Sequence, residues 1–236
     1  MSASLHIWIT GAGRGIGAAI AQHLGTKHRI SLSGRNEASL RQIENMLPGG
    51  NAAVIPCDVA DEHSVAIAHA AATQLFGPVD VLINNAGVAV FTDLVNMTVD
   101  AFDDQVAINL RGVFLGIKSV LPYMLSQQKG MIITINSVAA ISAFSGCTGY
   151  GASKAGALAL TRSLRNEVRS KHIKIADVIV GATETDIWGI EERALLGERM
   201  MQSEDVAEAV QMIVSSYNNP RIQFEEILIR PQRGDL

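Results

Sequence analysis

The sequence predicts an α/β fold in which helices cover both faces of a mainly parallel sheet of about seven strands. Two observations carry that expectation. Short apolar runs alternate with longer stretches of helical periodicity along the whole chain. The first apolar run also ends in a glycine cluster, "TGAGRGIG" at residues 10–17, that leads straight into helical sequence. The runs "LHIWIT" (5–10), "RISLS" (29–33), "AAVIPC" (52–57), "VDVLIN" (79–84), "GMIITIN" (130–136), "IKIADVIV" (173–180) and "QFEEILIR" (223–230) read as buried strands. Between them, "GIGAAIAQHLGTK", "EASLRQIENML", "DEHSVAIAHAAATQLF" and the long "DAFDDQVAINLRGVFLGIKSVLPYMLSQQ" carry helical spacing. Asp61 stands where the third helix needs an N-cap, and "PGG" at 48–50 stops the second. With right-handed crossovers, this alternation gives one doubly wound, Rossmann-like domain over residues 1–236.

Composition narrows the function. A chain of 236 residues, 48% of them hydrophobic, suits one large α/β domain. The net charge is −4 with no basic block, which argues against nucleic acid as a partner. Cys57 and Cys147 lie far apart without CxxC spacing, so neither a disulfide framework nor a metal site is expected. The N-terminus lacks the pattern of a signal peptide, and no run of about 18 apolar residues suggests a membrane span. A cytoplasmic protein is the expectation.

The glycine turn suits a dinucleotide. A strand running through glycines into a helix aims backbone N–H groups at one point, where they can hold a pyrophosphate. The candidate residues are Thr10, Gly11, Gly13, Arg14, Gly15, Ile16 and Gly17, in the order Thr-Gly-x-x-x-Gly-x-Gly rather than GxGxxG. A site for NAD usually places an acid at the end of the second strand. Here that strand ends in Ser33 and Gly34, followed by Arg35. Arg14 and Arg35 would favour a 2′-phosphate, so NADP(H) is expected over NAD(H) unless both are solvated loop residues. Glu37 is close by but belongs to the start of the next helix.

The stretch "SGCTGYGASKAGALAL" (145–160) places Tyr150 and Lys154 four residues apart, on one face of a helix. An ammonium beside a phenol favours the phenolate and lowers the tyrosine pKa from about 10 towards neutrality, as proton transfer to a carbonyl oxygen requires. Ser137 follows the strand "MIITIN", at the edge where open α/β sheets bind ligands, and its hydroxyl can orient a substrate oxygen. A turn or cap role is its alternative. Asn109 interrupts the apolar stretch "VAINLRGVFL"; a buried amide there needs hydrogen-bond partners.

With "TGAGRGIG", "NNAG" (84–87), Asn109, Ser137 and "YGASK" in that order, the sequence resembles the short-chain dehydrogenase/reductase family over roughly residues 5 to 230. The resemblance implies a nicotinamide cofactor and reversible oxidation of an alcohol to a carbonyl. It implies Tyr150 as general acid/base, Ser137 as the group that positions substrate, and Lys154 as the partner of both tyrosine and nicotinamide ribose. Asn109 would hold a water that relays protons to solvent. Asp58 and the Val59 backbone would contact the adenine, although Asp58 could equally be a turn acceptor. Asn85, Ala86 and Gly87 would close the cofactor pocket. After the sixth strand, Gly181, the Thr183 backbone and Thr185 would meet the cofactor, but Val180 stands where the family usually has proline. Residues 186–202 form a short lid in which Ile187, Trp188, Ile190, Leu195 and Leu196 could cover substrate or serve as core or interface. Phe144 and Cys147 are candidate pocket walls. Family members commonly pair the Tyr150 helix with its copy, so a homodimer or homotetramer is implied. The expected function is reduction of a small carbonyl compound or oxidation of its alcohol. The alternatives are a 3-oxoacyl thioester reductase, disfavoured by the ending "ILIRPQRGDL", and a non-catalytic dinucleotide-binding regulator.

Overall fold

The structure, a computed structural model, describes residues 4–234. Seven strands form one sheet: β1 (His6–Thr10), β2 (Arg29–Gly34), β3 (Ala52–Pro56), β4 (Val81–Asn84), β5 (Gly130–Ser137), β6 (Ile173–Val180) and β7 (Glu226–Ile229). Their order is β3-β2-β1-β4-β5-β6-β7, and every pairing is parallel. The order reverses between β1 and β4, so the connections leave β1 and β4 in opposite directions and open a crevice at their carboxyl ends.

Two apolar layers hold the helices against the sheet. On one face α1 (Gly15–Gly25), α2 (Glu37–Met46) and α8 (Ser203–Ser215) bury Ile20, Leu40, Val206 and Val210 against Ile7, Ile9 and Ile133. On the other, α3 (Glu62–Phe76), α5 (Gly112–Gln127) and α6 (Thr148–Val168) pack Val65, Val120, Met124 and Leu164 on Trp8, Leu82 and Ile132. With both faces covered, β1, β4 and β5 are buried along their whole length. That is why they read as continuous apolar runs rather than alternating ones.

Local signals mostly end up where the chain pattern places them. Asp61 caps α3 by accepting from the His63 and Ser64 N–H groups. The long helical stretch differs: it divides into α4 (Val99–Val106), a π-turn at Ala107–Arg111, and α5. The π-turn carries Asn109, a polar residue in an apolar run, and such turns recur at functional sites. The final strand is shorter than its apolar pattern, because only Glu226–Ile229 finds a partner in β6. Helix α7 (Ile190–Leu196) forms the middle of the lid segment, and Thr183 bridges Met201 to tether its base.

A buried ion pair ties α6 to β6. Arg165 donates to Asp177 at 2.9 Å and to the carbonyls of Ile175 and Glu225, while the Thr161 hydroxyl donates to the other Asp177 oxygen. Burial pushes the Asp177 carboxyl up to about 6, against the pull of Thr161 and Arg165. Removing the cation alone leaves an uncompensated charge in the core. Arg165→Leu should therefore cost about 3–5 kcal/mol in urea denaturation at neutral pH. The penalty should shrink in mild acid, where Asp177 takes up a proton.

Candidate active site

A cleft of about 930 Å³ lies at the carboxyl ends of the central strands and is lined from the glycine turn to the lid. Its floor is clasped together by Thr10 and Asn85. The Thr10 hydroxyl oxygen accepts from the N–H groups of Asn85 and Ala86, each at 3.1 Å. The Asn85 amide in turn donates to the carbonyls of Thr10 and Gly11, both at 3.0 Å. Thr10 and Asn85 thus hold two turns in register.

The glycine turn forms a cradle suited to phosphate. Gly11 has φ +66°, and a Cβ there would lie 2.8 Å from the Ala86 backbone. At Gly17 a Cβ would run into the Gly11 carbonyl and the Asn85 amide, so only glycine lets α1 start this close to β4. Arg14 occupies the N-cap of α1 with extended backbone and no side-chain cap, and the first turn contains no acidic residue. The leading N–H groups of α1 therefore meet no acidic side chain of their own turn. Gly13, Gly15 and Ile16 line the same end, and Thr185 packs its methyl over Gly15. These residues fit a dinucleotide pyrophosphate.

At the outer end, Arg14 and Arg35 both line the cleft, next to Asn36 and Ser39. Arg14 also pairs with Asp186 at 3.3 Å. Glu37 is engaged by Arg41 within α2, which leaves no acid of the second strand's end directed at a ribose. Asp58 lines the cleft, and one of its oxygens accepts from the Ala60 N–H. Val59 buries its side chain against Gly112, which leaves its backbone at the cleft wall.

Three predicted chemical groups converge beyond the pyrophosphate cradle. Ser137 ends β5 and accepts from the Ala139 N–H at 3.1 Å, so the turn role weighed from sequence is real. Its hydroxyl also acts on the Tyr150 phenol, in the direction that favours the phenolate. Burial pushes that phenol above its ordinary 10, and the Ser137 contact opposes the rise. The expected lowering of the tyrosine pKa is therefore not produced by these side chains alone. Lys154 stands 5.9 Å from the Tyr150 ring and donates to the Ile135 carbonyl at 2.9 Å. Burial brings its ammonium down to about 8, with Asp177 pulling the other way.

Asn109 uses its amide structurally. It donates to the Val88 carbonyl at 2.8 Å and the Ser153 hydroxyl at 3.0 Å, and accepts from the Val88 N–H at 2.9 Å. Gly87 admits both neighbours: a Cβ there would lie 3.3 Å from Asn109 Oδ1 and 3.5 Å from Lys154 Nζ. At the end of β6, Val180 pairs with Ser137 on one side and Ile229 on the other. The two ladders fix the backbone that a proline would otherwise fix. Gly181 lets Pro231 approach to within 2.9 Å of a Cβ position, and Thr183 turns its hydroxyl to the Gly181 carbonyl.

Of the lid residues, Ile187, Trp188 and Leu196 line the cleft with Phe144 and Cys147, whereas Ile190 and Leu195 are each 80% exposed. Phe91 was not legible in sequence. It sits in the loop after β4, stacks on Trp188 at 5.3 Å and meets Tyr150 edge-on at 5.7 Å. Nothing in "VAVF" distinguishes that aromatic residue from a core position. Small residues of α6 also acquire a cause. Gly149 clears Gln105 and Met97, and Gly156 clears Leu110, so this helix packs closely on α4 and the π-turn of its own chain.

A family model described as short chain dehydrogenase matches residues 5–194. The chain belongs to the short-chain dehydrogenase family. It is an oxidoreductase of that family. A sepiapterin reductase of Chlorobaculum tepidum is 36% identical over 242 residues, covering 97% of this chain and 96% of that protein. The solved alcohol dehydrogenase of the archaeon Thermococcus sibiricus, complexed with 5-hydroxy-NADP, superposes with a TM-score of 0.87 at 25% identity, covering 97% of each chain. A metagenomic short-chain oxidoreductase in complex with NADP gives 0.84 at 29% identity, covering 98% of each. Among the described residues no helix is long and apolar enough to cross a membrane, and no cluster of three or more His, Cys, Asp or Glu side chains could hold a metal.

The left-handed backbone at Gly11 is testable. Gly11→Ala should lose at least about 1–2 kcal/mol in urea denaturation, since an L side chain is strained there and the Ala86 backbone cannot yield. The same variant should bind a nicotinamide dinucleotide more weakly by fluorescence titration.

Proposed function

We propose that this short-chain dehydrogenase is an NADP(H)-dependent enzyme that interconverts a small carbonyl compound and its alcohol. The observation that carries this reading is the meeting of Ser137, Tyr150 and Lys154 in one cleft with a glycine phosphate cradle. Gly11, Gly13, Gly15, Ile16 and Gly17 would hold the pyrophosphate, with Thr10 and Asn85 fixing the turn and Ala86 and Gly87 forming the adjoining wall. Arg14 and Arg35 would take the 2′-phosphate, and Asp58 and the Val59 backbone the adenine. Gly181, the Thr183 backbone and Thr185 would meet the nicotinamide half. Two NADP-type complexes among the structural neighbours, and the absence of a directed acid after β2, support NADP(H) over NAD(H).

When bound, the cofactor supplies a hydride to the carbonyl carbon, or accepts one in the reverse direction. The chain's own residues manage the oxygen. Ser137 donates to it and holds it against the Tyr150 hydroxyl. Tyr150, kept protonated by burial, delivers its proton to the oxygen as negative charge develops there. Lys154, charged below about 8, stabilises the phenolate left behind. A water held at the Asn109 π-turn returns the proton from solvent, while the Asn109 side chain secures Val88 and Ser153. Ala152, Ala155 and Ala159 expose a small-residue face of α6, and Phe102, Phe114 and Tyr123 are exposed on α4 and α5. These faces support assembly as a homodimer or homotetramer.

Steady-state reduction with NADPH tests the acid directly. Tyr150→Phe should bind NADPH normally and lose at least about a hundredfold in kcat, the scale of general acid catalysis. Retained turnover would remove Tyr150 from the mechanism. The pH profile of reduction should fall as pH rises past about 8, where Lys154 loses its charge. The sign follows from burial, which disfavours the ammonium and so lowers its pKa. Lys154→Arg, slower but always charged, should lose that alkaline limb.

A further inference from the structure

The substrate half of the cleft holds an aromatic arrangement that proton transfer does not use. Phe91 comes from the loop after β4 and Trp188 from the lid segment after β6, yet their rings stack 26° from parallel at 5.3 Å. Phe91 is also T-shaped against Tyr150, at 77° and 5.7 Å. The pair therefore runs from the proton donor outward along one wall of the cleft. Both rings line that cleft, and Phe91 remains 36% exposed, so the aromatic surface is not used up by packing within the chain. Val138 and Phe144 add apolar surface nearby.

The charged groups near the wall are engaged with one another. Asp186 lines the cleft, held by Arg14 at 3.3 Å and Arg193 at 3.0 Å, and Glu192 accepts from the Gly189 N–H at 2.9 Å. The Lys154 ammonium is bound to the Ile135 carbonyl. The surface that Phe91 and Trp188 offer a ligand is apolar.

We propose that Phe91 and Trp188 form an aromatic wall that selects a carbonyl compound carrying an aryl or other flat unsaturated ring. Open-chain aliphatic ketones are disfavoured. This rests on the oxidoreductase reading above and names the substrate class of the same site. A carbonyl whose oxygen reaches Ser137 and Tyr150 has its substituents beside Phe91, and the lid places Trp188 over the outer part. Offset or edge-on ring contacts add to the burial of the same area, an increment worth about two- to tenfold in kcat/KM for each contact.

The test compares initial rates with NADPH for phenylpropanedione and hexanedione. Wild type should prefer the phenyl dione over hexanedione. In Phe91→Leu and Trp188→Leu the phenyl-to-alkyl ratio of kcat/KM should fall by about two- to tenfold, chiefly through KM. Trp188→Phe, which keeps a ring, should retain most of the ratio and guards against a leucine variant that fails to fold. A phenyl ketone should also quench tryptophan emission less in Trp188→Phe than in wild type, because the other tryptophan, Trp8, is fully buried in the core. Reduction of hexanedione as well as the phenyl dione, or an unchanged ratio in the variants, overturns the aromatic wall and leaves the oxidoreductase reading intact. Failure to reduce either dione with NADPH or NADH overturns both readings.

Discussion

Two turns from distant parts of the chain are joined by the Thr10 hydroxyl and the Asn85 amide, and the rest of the cleft is built outward from that clasp. It sits where the strand order reverses between β1 and β4, the one place where neighbouring connections part and leave an opening. The opening would be useless if the two turns could slide. Four hydrogen bonds prevent this, and the absence of side chains at Gly11 and Gly17 lets the backbones approach closely enough to make them. The glycine turn and the turn after β4 consequently share one floor.

The same economy governs charge. Helix α6 carries both Lys154 and Arg165, and Asp177 on β6 faces them from beneath. Arg165 pairs directly with Asp177, and the field of that carboxylate also reaches Lys154, where it favours the ammonium against burial. A group that fastens the helix to the sheet thus also helps keep the site lysine charged. Burial acts on Tyr150 in the opposite sense from the sequence expectation. The enclosed phenol holds its proton more tightly than a free one.

Much of this was legible in the chain. Strand and helix order followed from periodicity, and the glycine turn, Ser137, Tyr150 and Lys154 stood out because each combines a chemical group with a fixed place relative to a strand or helix. The functions of some residues were harder to read. Asn109 was marked by polarity in an apolar run, but only the π-turn shows that its amide is spent on Val88 and Ser153. The departure at Val180 raised doubt because proline stiffens a backbone by itself. Here hydrogen-bond ladders on both sides perform that task. Phe91 had no periodic or spacing signal at all.

The sequence by itself determined the α/β order, the glycine turn that follows β1 and the placing of Tyr150 and Lys154 on one face of a helix, because these depend on short-range spacing. The tertiary structure alone decided which face each lid residue presents, that Phe91 and Trp188 meet, and that Asp186 lies between Arg14 and Arg193. The Phe91–Trp188 and Arg14–Asp186 contacts join residues separated along the chain by strands and helices whose packing sets their distance. No local pattern records such a distance; it arises when the parallel sheet brings its carboxyl ends together at one edge.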